Sequence, residues 1–141
     1  MKQPQVKTSW EEIGWHDMME APDGSRALQP VDGGRYCHFF MDDEDESSPM
    51  ISLSEYPAGV ERPPHSHETD YVEIVLAGSE QVSGEWLYAG DIRLVRAGTG
   101  YGPLIAGPEG SKVLVIFRHG NERKTIPKGA ARNVEVQPAF E

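Results

Sequence analysis

Gly59-Val60-Glu61-Arg62-Pro63-Pro64-His65-Ser66-His67 is the stretch from which the reading of this chain starts. Two imidazoles at i and i+2 of an extended segment project from one face, because side chains along a strand alternate with period two. Imidazole is the commonest protein ligand for transition metals. The pair leads into an apolar run, 71–76, that ends at Gly78. It reads as half of a metal site built on a strand. The alternative is two exposed histidines in a Pro-rich loop.

Outward from this stretch, short apolar or alternating runs recur at 34–41, 50–56, 70–76, 80–82, 85–87, 91–95, 112–118 and 134–136. Gly78, Gly84, Gly90, Gly98, Gly107 and Gly110 fall between them, where turns need positive φ. Many short strands at this spacing predict an all-β sandwich or barrel. One helix is expected near the start, where Ser9-Trp10-Glu11-Glu12 has the form of a capping box, with Gly14 close behind to end it. The organisation predicted is an N-terminal arm (1–33), a barrel (34–120) and a C-terminal arm (121–141). Trp10 and Trp15 are expected to pack the first arm onto the barrel or onto a partner subunit.

The 141 residues suffice for one domain with a single core. Formal net charge is −10, and half of it comes from Asp42-Asp43-Glu44-Asp45-Glu46. That cluster lacks the alternating ligands and glycine of a calcium loop and reads as a solvated loop. An acidic surface argues against nucleic acid and anionic membrane as partners. No run approaches about 18 apolar residues, so neither a membrane span nor a secretory signal is expected. The lone cysteine, Cys37, cannot close an intrachain disulfide, reads as a small buried hydrophobe, and fits a cytoplasmic setting. No nucleophile elbow, phosphate loop, dinucleotide fingerprint or Cys-x-x-Cys pair is present.

With these residues in place, the sequence resembles the cupin superfamily. Gly59, His65, His67 and Gly78 match the first cupin motif in order and spacing, and Gly90 and Gly98 match the second. The departures are Tyr71 in the place of the glutamate ligand, Arg96 in the place of the motif proline, and Tyr101 in the place of the third histidine. The resemblance implies an antiparallel jelly-roll barrel, or double-stranded β-helix. It also implies a metal site, of which His65 and His67 are the two ligands carried over. Tyr71 and Tyr101 then become candidate catalytic residues that orient substrate, ligands to a strongly Lewis-acidic ion, or hydrogen-bonding walls of a pocket.

Parity adds a third candidate metal ligand. In a regular strand Tyr71, Glu73 and Val75 share a side, and His65 and His67 share their odd numbering. An inward Glu73 needs a metal, an arginine or a proton. With the histidines it makes a two-His, one-carboxylate set suited to iron, with zinc, nickel or manganese as other divalent ions. Asp70 has the other parity and sits at the turn into the strand. Against this, Val72, Ile74 and Leu76 make the even face the more apolar one, and patterning alone would bury it and leave Glu73 exposed. Both faces are accommodated if the odd side lines a polar cavity and the even side packs on another sheet or subunit. That even face, the tryptophans and the family's habit predict a homodimer.

Other residues carry less. His38 reads as a satisfied core histidine, and His16 and His119 as surface residues. The Gly/Pro-rich stretches 98–103 and 107–110 read either as turn geometry or as a loop holding Tyr101 over the pocket. Two functions follow. One is a metal-dependent enzyme, of dioxygenase, lyase or isomerase type, acting on a small oxygenated organic compound. The other is a non-catalytic ligand-binding or sensor cupin.

Overall fold

Turn residues cut the chain into strands much as the punctuation predicts. The computed structural model describes residues 4–120 except 22, 28, 43 and 46, together with the backbone of 126–127 and 132–133. Helix α1 (Trp10–Ile13) is a single turn: Ser9 accepts a hydrogen bond from the Glu12 amide at 3.2 Å, and Gly14 at φ 99° ends it. Strand β1 (His16–Asp17) pairs antiparallel with β2 (Arg35–Phe40), which pairs with β3 (Met50–Tyr56). Then come β4 (Glu61–Arg62), β5 (His65–Ser66), β6 (Tyr71–Val82), β7 (Glu85–Tyr88), β8 (Ile92–Val95), β9 (Thr99–Gly100) and β10 (Leu104–Phe117). Short pairings of β11 (Ile126–Pro127) with β5 and of β12 (Arg132–Asn133) with β9 complete the described ladders. The expected strand at 134–136 lies outside the described residues.

Two long strands organise the barrel. The first half of β6 pairs with β8 and with the end of β10, which also pairs with β3. Its second half pairs with β7 and with the start of β10, which also pairs with β4. The two halves are separated by register shifts opposite 106–113. Gly78 is required there: its φ is 70°, and a Cβ would collide with the carbonyl oxygen of Gly110. Ser83 and Gly84, both at positive φ, make the two-residue hairpin between β6 and β7.

The irregularity changes which side chains point inward. Tyr71, Glu73 and Val75 are buried before it, and Glu80 and Val82 after it. Two readings of the sequence are corrected here. The separate runs 70–76 and 80–82 are one strand. The stretch 107–110 is not a loop over a pocket but the irregular middle of β10, which begins at Leu104 rather than at 112.

The core is a cluster of Met50, Val75, Val82, Leu87, Val95, Leu104, Val113 and Phe117 with Tyr71 and Tyr101. Cys37 is buried on β2, as a small hydrophobe would be. Arg35 lies over the Trp15 ring at 3.8 Å, so Trp15 packs the N-terminal segment onto the sheet through a cation–π contact. Among the described residues no helix is long and apolar enough to cross a membrane.

Candidate functional site

A cavity of about 500 Å³ opens inside the barrel, in the size range of small-molecule sites. His65, His67, Tyr71, Glu73 and Tyr101 all line it, so the structure brings together every site residue picked from the sequence. Backbone pairing explains the closest contact. His65 and Tyr101 exchange two backbone hydrogen bonds, 2.9 and 3.0 Å, which sets their side chains on one side of the ladder. Gly102 allows this approach, since a Cβ there would lie 2.7 Å from Pro64 Cα.

The hydrogen bonds fix the protonation of His65. Its Nδ1 lies 2.9 Å from the Pro63 carbonyl oxygen, which can only accept, so Nδ1 carries the hydrogen. Burial lowers the His65 pKa to about 4, with a smaller opposing effect of the Pro63 bond, so the ring is neutral near pH 7. Its Nε2 is therefore a bare acceptor, and the Tyr101 hydroxyl donates to it at 3.0 Å. Burial, then the neighbouring His65, Arg62 and Arg93, lower His67 to about 3. His67 packs against Tyr71 and Phe117 and stacks on Tyr101, and its buried Nδ1 has no hydrogen-bond partner among the described residues.

Glu73 points inward as parity requires, but its partner is a protein cation. Glu73 Oε2 accepts from Arg93 Nη2 at 2.6 Å, and both side chains are about 95% buried. Arg93 also donates to the Tyr71 hydroxyl at 3.3 Å and lies 4.4 Å from the Tyr101 ring centroid. Burial opposes its charge, yet the Glu73 carboxylate more than compensates and raises the guanidinium pKa. Burial pushes Tyr101 up to about 12 and Tyr71 well above its usual value, so both phenols keep their protons. Asp70 sits at the strand entrance as expected, accepting from the Ala97 amide at 2.8 Å.

The expected metal set of His65, His67 and Glu73 is not assembled in this arrangement. Among the described residues no three His, Cys, Asp or Glu side chains converge on one point. Glu73 Oε2 is paired with Arg93 while its buried Oε1 has no hydrogen-bond partner among the described residues, and Tyr101 occupies the lone pair that His65 Nε2 would offer an ion. The nearby guanidinium also repels any added cation. A two-His, one-carboxylate centre here would need Tyr101 to leave His65 and Glu73 to turn from Arg93.

Two members of the site escaped the sequence. Arg93 sits between Ile92 and Leu94, which simple patterning would bury, whereas the structure exposes them and buries Arg93. The available signal was its opposite charge directly across the ladder from Glu73, but that needs the register. Glu80, 3% exposed and lining the cavity, has the parity of the outward face in a regular strand. Only the irregularity at Gly78 turns it inward.

No protein-family model matches the chain, and no curated protein matches it. Solved structures do. The polyketide cyclase RemF from Streptomyces resistomycificus superposes with a TM-score of 0.67 at 15% identity, over 87% of this chain and 84% of its own. An RmlC-like cupin from Shewanella frigidimarina NCIMB 400 gives 0.58 at 20% identity, over 83% and 93%. Oxalate decarboxylase from Bacillus subtilis gives 0.66 at 18% identity over 90% of this chain, which spans only 33% of that enzyme. Long irregular strands, a polar interior and these superpositions agree, and the fold of this chain is that of the cupin superfamily.

Proposed function

We propose that this chain is a cupin whose barrel cavity binds a small oxygenated organic molecule through hydrogen bonds, in the manner of a ligand-binding or sensor module. The carrying observation is the division of labour among the buried polar groups. His65 is pinned between Pro63 and Tyr101, and Glu73 is neutralised by Arg93. His67 keeps a buried Nδ1 on the same cavity without a partner among the described residues. A buried polar atom left unpaired costs about 1–3 kcal/mol, and a ligand that pairs with it recovers that cost. Tyr71 and Tyr101 complete the polar wall as neutral phenols.

The second reading is a metal-dependent oxidoreductase of dioxygenase type. One observation favours it: the described oxalate decarboxylase relative is characterised by its Mn(II) centres. In this chain such a site would rest on His65 and His67 alone and would require Tyr101 to turn away from His65.

Incubation with manganese, iron, zinc or nickel, followed by desalting and elemental analysis, separates the two readings. The ligand-binding reading expects substoichiometric metal, together with NMR shifts at His67 when monocyclic phenols and alcohols are added. One tightly held ion per chain, lost in the His65→Ala/His67→Ala double variant, would favour the second reading.

A further inference from the structure

Two buried glutamates on one strand are treated differently by the fold. Glu73 has Arg93 at 2.6 Å. Glu80 is equally buried at 3% exposure, lines the same cavity, and makes no ion pair among the described residues; its Oε1 has no hydrogen-bond partner. Arg62, which lines the same cavity, makes no ion pair with Glu80, and its hydrogen bonds go to neutral groups. Arg62 donates to the Tyr56 hydroxyl at 2.7 Å through Nη1 and to Gln29 Oε1 at 3.0 Å through Nη2. A buried carboxylate without compensation is costly enough that it is met by a cation, a strong donor or a proton.

The rest of the lining indicates which. With Glu73 neutralised by Arg93, the lining still carries Glu20, Asp23 and Glu80 against Arg26 and Arg62. The imidazoles are neutral and add no positive charge. Tyr56, Tyr71, Tyr101 and Phe117 present aromatic surface, and a cation is stabilised over such faces. An anionic ligand would meet the unneutralised Glu80, and a purely neutral one would leave that charge buried.

We infer that Glu80 is the specificity-determining residue of the cavity and selects a small organic ligand carrying a protonated amine or amidine nitrogen. This deepens the ligand-binding reading and rests on it. Glu80 supplies the charged acceptor, and the polar wall of His67, Tyr71 and Tyr101 meets an oxygen of the ligand.

Three fragments of one shape test it: benzylammonium, benzyl alcohol and benzoate, titrated by NMR into the full chain near neutral pH. Wild type is expected to bind benzylammonium about tenfold more tightly than benzyl alcohol, the advantage of a charge-assisted hydrogen bond, and to exclude benzoate. Glu80→Gln and Glu80→Ala are both expected to erase that preference, so that benzylammonium binds no more tightly than benzyl alcohol. Glu80→Gln is also expected to raise the melting temperature, because it removes an uncompensated buried charge. Equal binding of the amine and the alcohol by wild type, or an amine preference that survives in both variants, overturns the assignment of Glu80. Failure of all three fragments to bind overturns the cavity reading itself as well.

Discussion

The two faces of the sheet built on β6 differ in an unusual way, with polar groups inside beside the core and large apolar groups outside. The inward side carries Tyr71 and Glu73 with Arg93 across the ladder, and the outward side carries Leu76, Ile92 and Leu94, 45–66% exposed, beside Val72 and Ile74. Trp86 and Tyr88 on β7 and Ile116 on β10 extend the outer apolar face. Side chains on the two faces are neighbours along the same backbone, so strand propensity does not distinguish them. What differs is closure. The inner face is sealed by other strands and must satisfy each polar group within the protein, whereas the outer face remains open to solvent or to a second copy. The lesson is that apolar content marks the core only where nothing functional competes for the inside.

The largest effect expected from breaking this contrast comes from the inner ion pair. Arg93→Met should cost about 3–5 kcal/mol, because it strands the buried Glu73 carboxylate. Adding Glu73→Gln to it should recover a substantial part of the loss, since contacting residues are not additive. Urea denaturation of the single and double variants checks this. A loss below about 1 kcal/mol for Arg93→Met would place the pair in solvent contact.

Acid should sharpen the contrast next. Both histidines have folded-state pKa values below the unfolded value, so the unfolded chain takes up protons first. Their contribution is fully present above about pH 6.5 and is lost as pH falls toward about 4, on the order of 3 kcal/mol for His65 alone. Stability measured across this window should fall steeply in wild type and less steeply in His67→Gln. A flat profile would mean that the rings are not desolvated.

Tyr101→Phe should have a smaller effect, about 1–3 kcal/mol, because His65 Nε2 is left buried and unpaired. The accompanying readout is the His65 tautomer: the Nδ1 hydrogen held by Pro63 should remain in the nitrogen-15 NMR spectrum. Its migration to Nε2 would refute the assigned direction of the hydrogen bonds.

The outer face should respond least in fold stability and most in association. The homodimer expected from the sequence is tested by Ile92→Lys with Leu94→Lys. These exposed changes should alter stability by no more than about 0.5 kcal/mol each. Light scattering should report twice the 15.6 kDa chain mass for wild type and the single mass for the variant. A wild-type chain of single mass at micromolar concentration would sink the homodimer.

Much of the fold was legible because its signals are local. Glycines at turns, alternating runs and the Ser9 cap are read within a few residues, and β2 and β3 emerge close to their predicted bounds. The His65/His67 pair and the inward Glu73 were legible for the same reason, since period two holds along a regular strand. The start of β10 was missed because Gly107, Pro108 and Gly110 look like a turn while the ladder to β6 resumes on either side of them. Glu80 was missed because Gly78 breaks the period on which the parity argument depends.

The sequence by itself determined the class of fold, the place of the histidine pair and that Tyr71 and Glu73 share a side, because each depends on backbone geometry over short spans. Only the tertiary structure decided what those groups meet. The partner of Glu73 is Arg93, twenty residues away on another strand, and the Nε2 of His65 faces Tyr101 across a separate ladder. Both depend on strand register, and register is a property of paired strands that no single stretch of sequence contains.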